Sequence, residues 1–184
     1  MEISKIKKVL IEQKNMNLNK EEGLKGTIYP DTIKDKNTSH YADLTKRGKD
    51  NVSHLQGKVN LYSFLLDHPT LDDFEFGWFL HLITDYLFFE ECFTKEYLLS
   101  HTFDEFRKDL CFGYDCLNQY LTEKYKITRE DFTIYPEEIY PGIPYQDNIF
   151  TKEQIDEFIS RVSEIDTNQY IKKIKLAKCN IKHY

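Results

Sequence analysis

At 184 residues the chain fits one domain, and a 40% hydrophobic content with a 15% aromatic share supplies a core for it. Seven glycines and five prolines are too few for the many turns of an all-β sandwich. A net charge of −6, with only weak lysine clusters at the two ends (Lys5, Lys7, Lys8; Lys172, Lys173, Lys175, Lys178), argues against a nucleic-acid-binding face.

In chain order, Ile3, Ile6, Val9 and Leu10 lie at helical spacing and predict a short helix over 1–15. Residues 16–52, broken by "GTIYPD" and "DKNTSH", read as a long polar loop, and ordered loops of that length are usually functional. A helix is predicted from about Val59 to Leu66, with Pro69 ending it. "TLDDFEFGWFLHLITDYLFFEECF" follows, with Thr70 as N-cap and Asp72 and Asp73 in the first turn, where the helix dipole favours acids. Apolar residues on every face make this helix, over about 72–93, the centre of the fold. Another helix starts near Thr102, carried by Phe103, Phe106, Leu110, Leu117 and Leu121. Residues 127–150, rich in proline and tyrosine without a period, read as a covering loop. Thr151 to Gln154 is a capping box for a last helix through about Ile165. The expected architecture is a single all-α domain over 1–184, with long loops between the helices.

Cys92, Cys111, Cys116 and Cys179 show no CxxC spacing, and three of them fall in apolar helical stretches. They read as reduced core residues, neither a disulfide frame nor a zinc knuckle. With no signal peptide and no apolar run of about twenty residues, the chain is expected to be cytoplasmic and to have no transmembrane segment.

His81 and Asp85 interrupt the central apolar helix. Four residues apart, they point the same way along it. A buried carboxylate needs a partner, because an ionised group is costly to desolvate. One reading is an Asp–His hydrogen bond inside the bundle. The other is a metal site, in which the ion compensates the charge and the helix supplies two rigid ligands. Asp31 and His40 in the polar segment add oxygen and imidazole donors. His101 and Glu105 form a second pair four apart, with Glu90 and Glu91 a turn or so beyond Asp85. Ligands gathered from several elements are how carboxylate–histidine sites are built. Thr102 to Glu105 is also a capping box, which would set His101 outside the helix. His54, His68 and His183 sit in polar contexts and read as solvated.

"GTIYPD…SHYADL" followed by "FGWFLHLITDYLFF" resembles the zinc-dependent phospholipase C family, over roughly residues 23–105. The resemblance implies an all-helical phospholipase C/P1 nuclease-like fold. It further implies that Asp31, His40, His81 and Asp85 hold one zinc ion, with Asp31 also a possible general base. His101 and Glu105 match an HxxxE of another ion, with Glu91 standing where the family has a histidine. The family's phospholipases also carry a histidine near the N-terminus. No histidine precedes His40 here, so a third ion is not expected. Zinc suits two histidines and two aspartates best, with iron, manganese or nickel as substitutes. The expected activity is hydrolysis of a small-molecule or lipid phosphoester, with a tyrosine-rich loop over 134–145 choosing the substrate. Two alternatives stand beside it. One is a metal-stabilised helical binding protein without turnover. The other is an HD-type phosphohydrolase, which ranks lower because the sequence contains no His-Asp dipeptide.

Overall fold

The computed structural model describes residues 19–45, 48–126 and 143–179, the last three as backbone alone. The helix over 1–15, most of the loop 127–150, the Cys179 side chain and His183 lie outside them. Among the described residues all regular structure is helical: α1 (Lys20–Thr32), α2 (Lys36–Ser39), α3 (Asn51–Gln56), α4 (Leu61–Asp67), α5 (Asp73–Glu91), α6 (Lys95–Ser100), α7 (Phe103–Lys124), α8 (Lys152–Glu164) and α9 (Thr167–Cys179).

The central helix is α5. It starts two residues later than Thr70 would set it, because Asp72 and Glu75 form a reciprocal capping box. Asp72 accepts from the Glu75 N–H at 2.8 Å and donates its own N–H to the Glu75 carboxylate at 3.1 Å. Its middle is buried all round, with Phe79, Leu82, Phe88, His81 and Thr84 without exposed surface. The Phe88 ring lies 5.3 Å from Phe150, 5.7 Å from Phe158 and 6.1 Å from Tyr114, which seats α7 and α8 against the C-terminal half of α5. α7 and α8 begin at the predicted caps Thr102 and Thr151. The Gln154 amide reaches across to the Cys92 carbonyl at 3.2 Å and ties α8 to the end of α5. Beyond Glu164 the chain forms a further helix, α9, which the sequence pattern did not indicate; α6 was likewise unforeseen.

The larger departure is the segment 16–52, expected as a loop. It contains α1 and α2 and enters α3. Two glycines and a proline inside α1 cost roughly 5 kcal/mol in helix propensity against alanine. Its capping is ordinary: the Asn19 side chain accepts from the N–H groups of Glu21 and Glu22. What offsets the poor propensity is the packing against α5, which Gly26 of α1 and Gly77 of α5 permit. A β-carbon on Gly26 would stand 1.9 Å from the Phe74 carbonyl oxygen, and one on Gly77 2.0 Å from the Gly23 carbonyl oxygen.

The two helices run parallel and in step. The Asn19 N–H donates to Asp73, Gly23 faces Gly77, and the His81 ring donates to the Thr27 carbonyl, each pair 54 positions apart. The next step of four along both helices is Asp31 and Asp85.

Cys92 and Cys116 are buried free thiols, and burial pushes Cys92 up to about 12. Cys111 departs from the core placement expected for it. It is exposed on the outer face of α7.

Gly77→Ala separates propensity from packing. Propensity alone predicts a gain of about 1 kcal/mol, whereas the backbone clash predicts a loss of about 1–3 kcal/mol or more. A urea titration is expected to show the loss, and a midpoint at or above wild type would disprove the close approach.

Candidate metal centre

The register of α1 on α5 sets one wall of the site. His81 is fully buried, and its Nδ1–H donates to the Thr27 carbonyl at 2.7 Å. Nδ1 carries a proton, so in the neutral ring Nε2 presents a lone pair. Asp85, one turn on, places Oδ2 3.4 Å from that Nε2.

The opposite wall is His40, the C-cap of α2. The turn closes with the Tyr41 N–H donating to Thr38 at 3.1 Å and the Ala42 N–H to Asn37 at 2.8 Å. This is a Schellman arrangement, with Tyr41 at φ 54° where glycine is usual. A β-carbon there costs roughly 1–2 kcal/mol. His40 Nδ1 lies 3.1 Å from the Lys36 carbonyl and 3.0 Å from Ser39 Oγ. Ser39 Oγ donates its own proton to the Pro30 carbonyl at 2.9 Å, so it accepts from the ring. Nδ1 of His40 therefore also carries the proton, and its Nε2 also presents a lone pair. The Trp78 indole N–H donates to the Ser39 carbonyl at 2.9 Å and fixes α2 against α5.

The two Nε2 atoms face each other at 3.1 Å. Asp85 Oδ2 lies 3.5 Å and Asp31 Oδ1 3.7 Å from His40 Nε2. Two lone pairs and two carboxylates cannot share such a space without positive charge between them. The end of α1 adds its carbonyl dipoles on the same side. A proton or a cation between them relieves this, and the spacing is compatible with the ligands of one ion. With bonds of about 2.1 Å, neighbouring ligands lie about 3.0 Å apart in octahedral and about 3.4 Å apart in tetrahedral coordination. The donor separations fall around those values, whereas three of the four exceed normal hydrogen-bond lengths. Donor atoms of Asp31, His40 and His81 all lie within 4.8 Å of one another, the one such metal-capable group among the described residues; Asp85 stands beside both imidazoles but outside that group.

Asp31 is the most open of the four, its side chain 21% exposed against 0% for His81. It sits in the last turn of α1, and His40 at the end of α2, so neither stands on the loop expected for them. The Lys36 ammonium lies 3.6 Å from Asp31 Oδ1 and donates to the Asp31 and Pro30 carbonyls.

No family model, no curated protein and no solved structure matches the chain. The geometry of its own residues therefore carries the reading.

The second predicted group does not assemble. Glu105 closes the α7 capping box. It accepts from the Thr102 N–H and hydroxyl, both at 2.8 Å, and those bonds hold its carboxyl below the usual range. His101, the C-cap of α6, has Nδ1 2.8 Å from the Tyr97 carbonyl and 3.0 Å from Ser100 Oγ, the same local geometry as His40. Among the described residues no metal-capable group includes it. Glu91 pairs with Arg161. Local capping and ion pairing thus take the two carboxylates that the spacing offered to a second ion. His68, expected to be solvated, bonds Glu75 and Tyr41, and His54 packs edge-on against Phe103.

A groove of about 710 Å³ runs along α2 and α4, lined in part by Asn37, Thr38, Tyr41, Asn60, Ser63 and Trp78. It shares Tyr41 and Trp78 with the shell around His40 but does not include the four donors. The sequence signal for the site's frame was available: Gly23-x3-Thr27-x3-Asp31 and Gly77-x3-His81-x3-Asp85 carry the same spacing.

Protein prepared without chelator should hold about one divalent ion per chain, measured by elemental analysis, and its removal should lower the melting temperature. His81→Ala should abolish the ion, whereas His101→Ala and Glu105→Gln should retain it. An ion content that follows His101 rather than His81 would contradict this assignment.

Proposed function

We propose that the chain is a metal-dependent hydrolase of phosphoesters, akin to the zinc-dependent phospholipase C family in fold and chemistry. The observation that supports this most is the pair of imidazoles with opposed Nε2 lone pairs beside two carboxylates, one of them open to solvent. His40, His81 and Asp85 would hold zinc, and Asp31 would complete the set or stand at its solvent edge. A bound ion supplies Lewis acidity toward a phosphoryl oxygen and lowers the pKa of water.

The chain's own residues then divide the work. Asp31, the most open of the four and acceptor-rich, would take a proton from the attacking water. His81 and Asp85 are fixed by α5 and do not move with substrate. Lys36, beside Asp31, brings a positive charge to the open edge, where an anionic phosphoester oxygen arrives. Two histidines, two aspartates and a divalent ion sum to zero, so Lys36 tips the edge toward anions. The substrate is a small-molecule or lipid phosphoester. No helix among the described residues is long and apolar enough to cross a membrane.

A second reading has one observation in its favour. Four donors around one ion are also the number that closes a structural site. In that case the ion stabilises a binding protein without turnover.

Asp31→Asn separates the two, because it keeps the shape and removes the base. With ion content measured alongside, turnover of an aryl phosphodiester and a phosphomonoester panel should fall by roughly 100-fold or more. A metal-loaded wild type that cleaves no member of the panel would leave the structural-ion reading standing.

A further inference from the structure

Both chain neighbours of His40 are tied to the first turns of α5. On one side the Trp78 indole holds the Ser39 carbonyl at 2.9 Å. On the other, the Tyr41 hydroxyl lies 3.2 Å from His68 Nε2, and His68 Nδ1 lies 2.7 Å from Glu75 Oε1. The second oxygen of Glu75 accepts from the Asp72 N–H in the capping box of α5. A carboxylate accepts, so His68 donates from Nδ1 to Glu75, and its Nε2 shares a hydrogen bond with the Tyr41 hydroxyl. The rings reinforce the chain: Tyr41 packs edge-on against Phe64 at 5.3 Å, and His68 stacks on Phe64 at 4.5 Å.

Tyr41 needs such support. It occupies the left-handed conformation that ends α2, and a slip of that residue would rotate the adjacent His40 out of place. We infer that Tyr41, His68 and Glu75 form a strap that holds His40 in ligating position, so that three side chains touching no ion set the affinity of the metal centre. They are positioning residues, and the inference rests on the metal reading above. The device makes α5 the single reference for the site. Its middle carries His81 and Asp85, and its first turns fix the two flanks of His40.

The test uses cobalt(II) and the full chain, with affinity from chelator competition and coordination from the visible absorption spectrum. His68→Leu and Tyr41→Phe should each weaken cobalt binding about 10- to 100-fold, the usual scale for partners behind a ligand, and alter the spectrum. The double variant should be no weaker than either single one, since both cut one chain. If both variants bind cobalt as tightly as wild type with an unchanged spectrum, and only the melting temperature falls, the strap is structural and the inference fails. A wild type that takes up no cobalt overturns the metal centre itself, and the strap with it.

Discussion

Everything at the candidate site depends on how closely α1 approaches α5. Gly26 and Gly77 remove the side chains that would hold the two backbones apart, and a β-carbon at either would fall within 2.0 Å of a carbonyl oxygen. Helices in that contact cannot slide by a residue without forcing a larger side chain into the gap. The register is therefore fixed, and with it the pairing of the Thr27 carbonyl with His81. One turn further along, the same register sets Asp31 Oδ1 3.7 Å and Asp85 Oδ2 3.5 Å from His40 Nε2. The site is thus a consequence of helix packing, set in a region whose glycines and proline disfavour a helix on their own.

The second constraint is the direction of two protons. His81 and His40 each spend Nδ1 on a main-chain carbonyl, and Ser39 adds a hydroxyl for His40. Each ring is left with its lone pair turned inward. Buried lone pairs opposed at 3.1 Å, next to carboxylates, are unfavourable without a charge between them. Protein elements have been spent on holding this arrangement: an indole, a left-handed tyrosine and a capping glutamate all converge on α2. A plain Asp–His hydrogen bond inside a bundle would need none of them.

How far the sequence revealed this differs from element to element. α5, α7 and α8 were legible because their apolar periods and their caps at Asp72, Thr102 and Thr151 agree to within about two residues. α1 was hidden because Gly23, Gly26 and Pro30 read as breakers, and only the partner helix gives Gly26 its purpose. His81 and Asp85 stood out as charged groups in an apolar helix, and Asp31 and His40 through their local motifs. Their convergence could not be read from periodicity, since it arises from a contact between segments 54 positions apart. His101, Glu105 and Glu91 had the right chemistry and spacing. In the fold, a helix cap and a salt bridge with Arg161 claimed the two carboxylates: the Thr102 N–H lies in the same turn as Glu105, and Arg161 of α8 stands beside Glu91. His68 was unreadable for the opposite reason: its partners Tyr41 and Glu75 come from different segments, the turn after α2 and the first turn of α5.

The central claim is that one ion sits between the opposed imidazoles. X-ray diffraction from zinc-loaded crystals, recorded on both sides of the zinc absorption edge, tests it most directly. The account predicts one anomalous peak about 2.0–2.2 Å from His40 Nε2, His81 Nε2 and Asp85 Oδ2, with Asp31 at its solvent side. An anomalous map without a peak there, and with the two Nε2 atoms still at hydrogen-bonding distance, would mean that a proton bridges them. The site would then be a structural histidine pair rather than a metal centre.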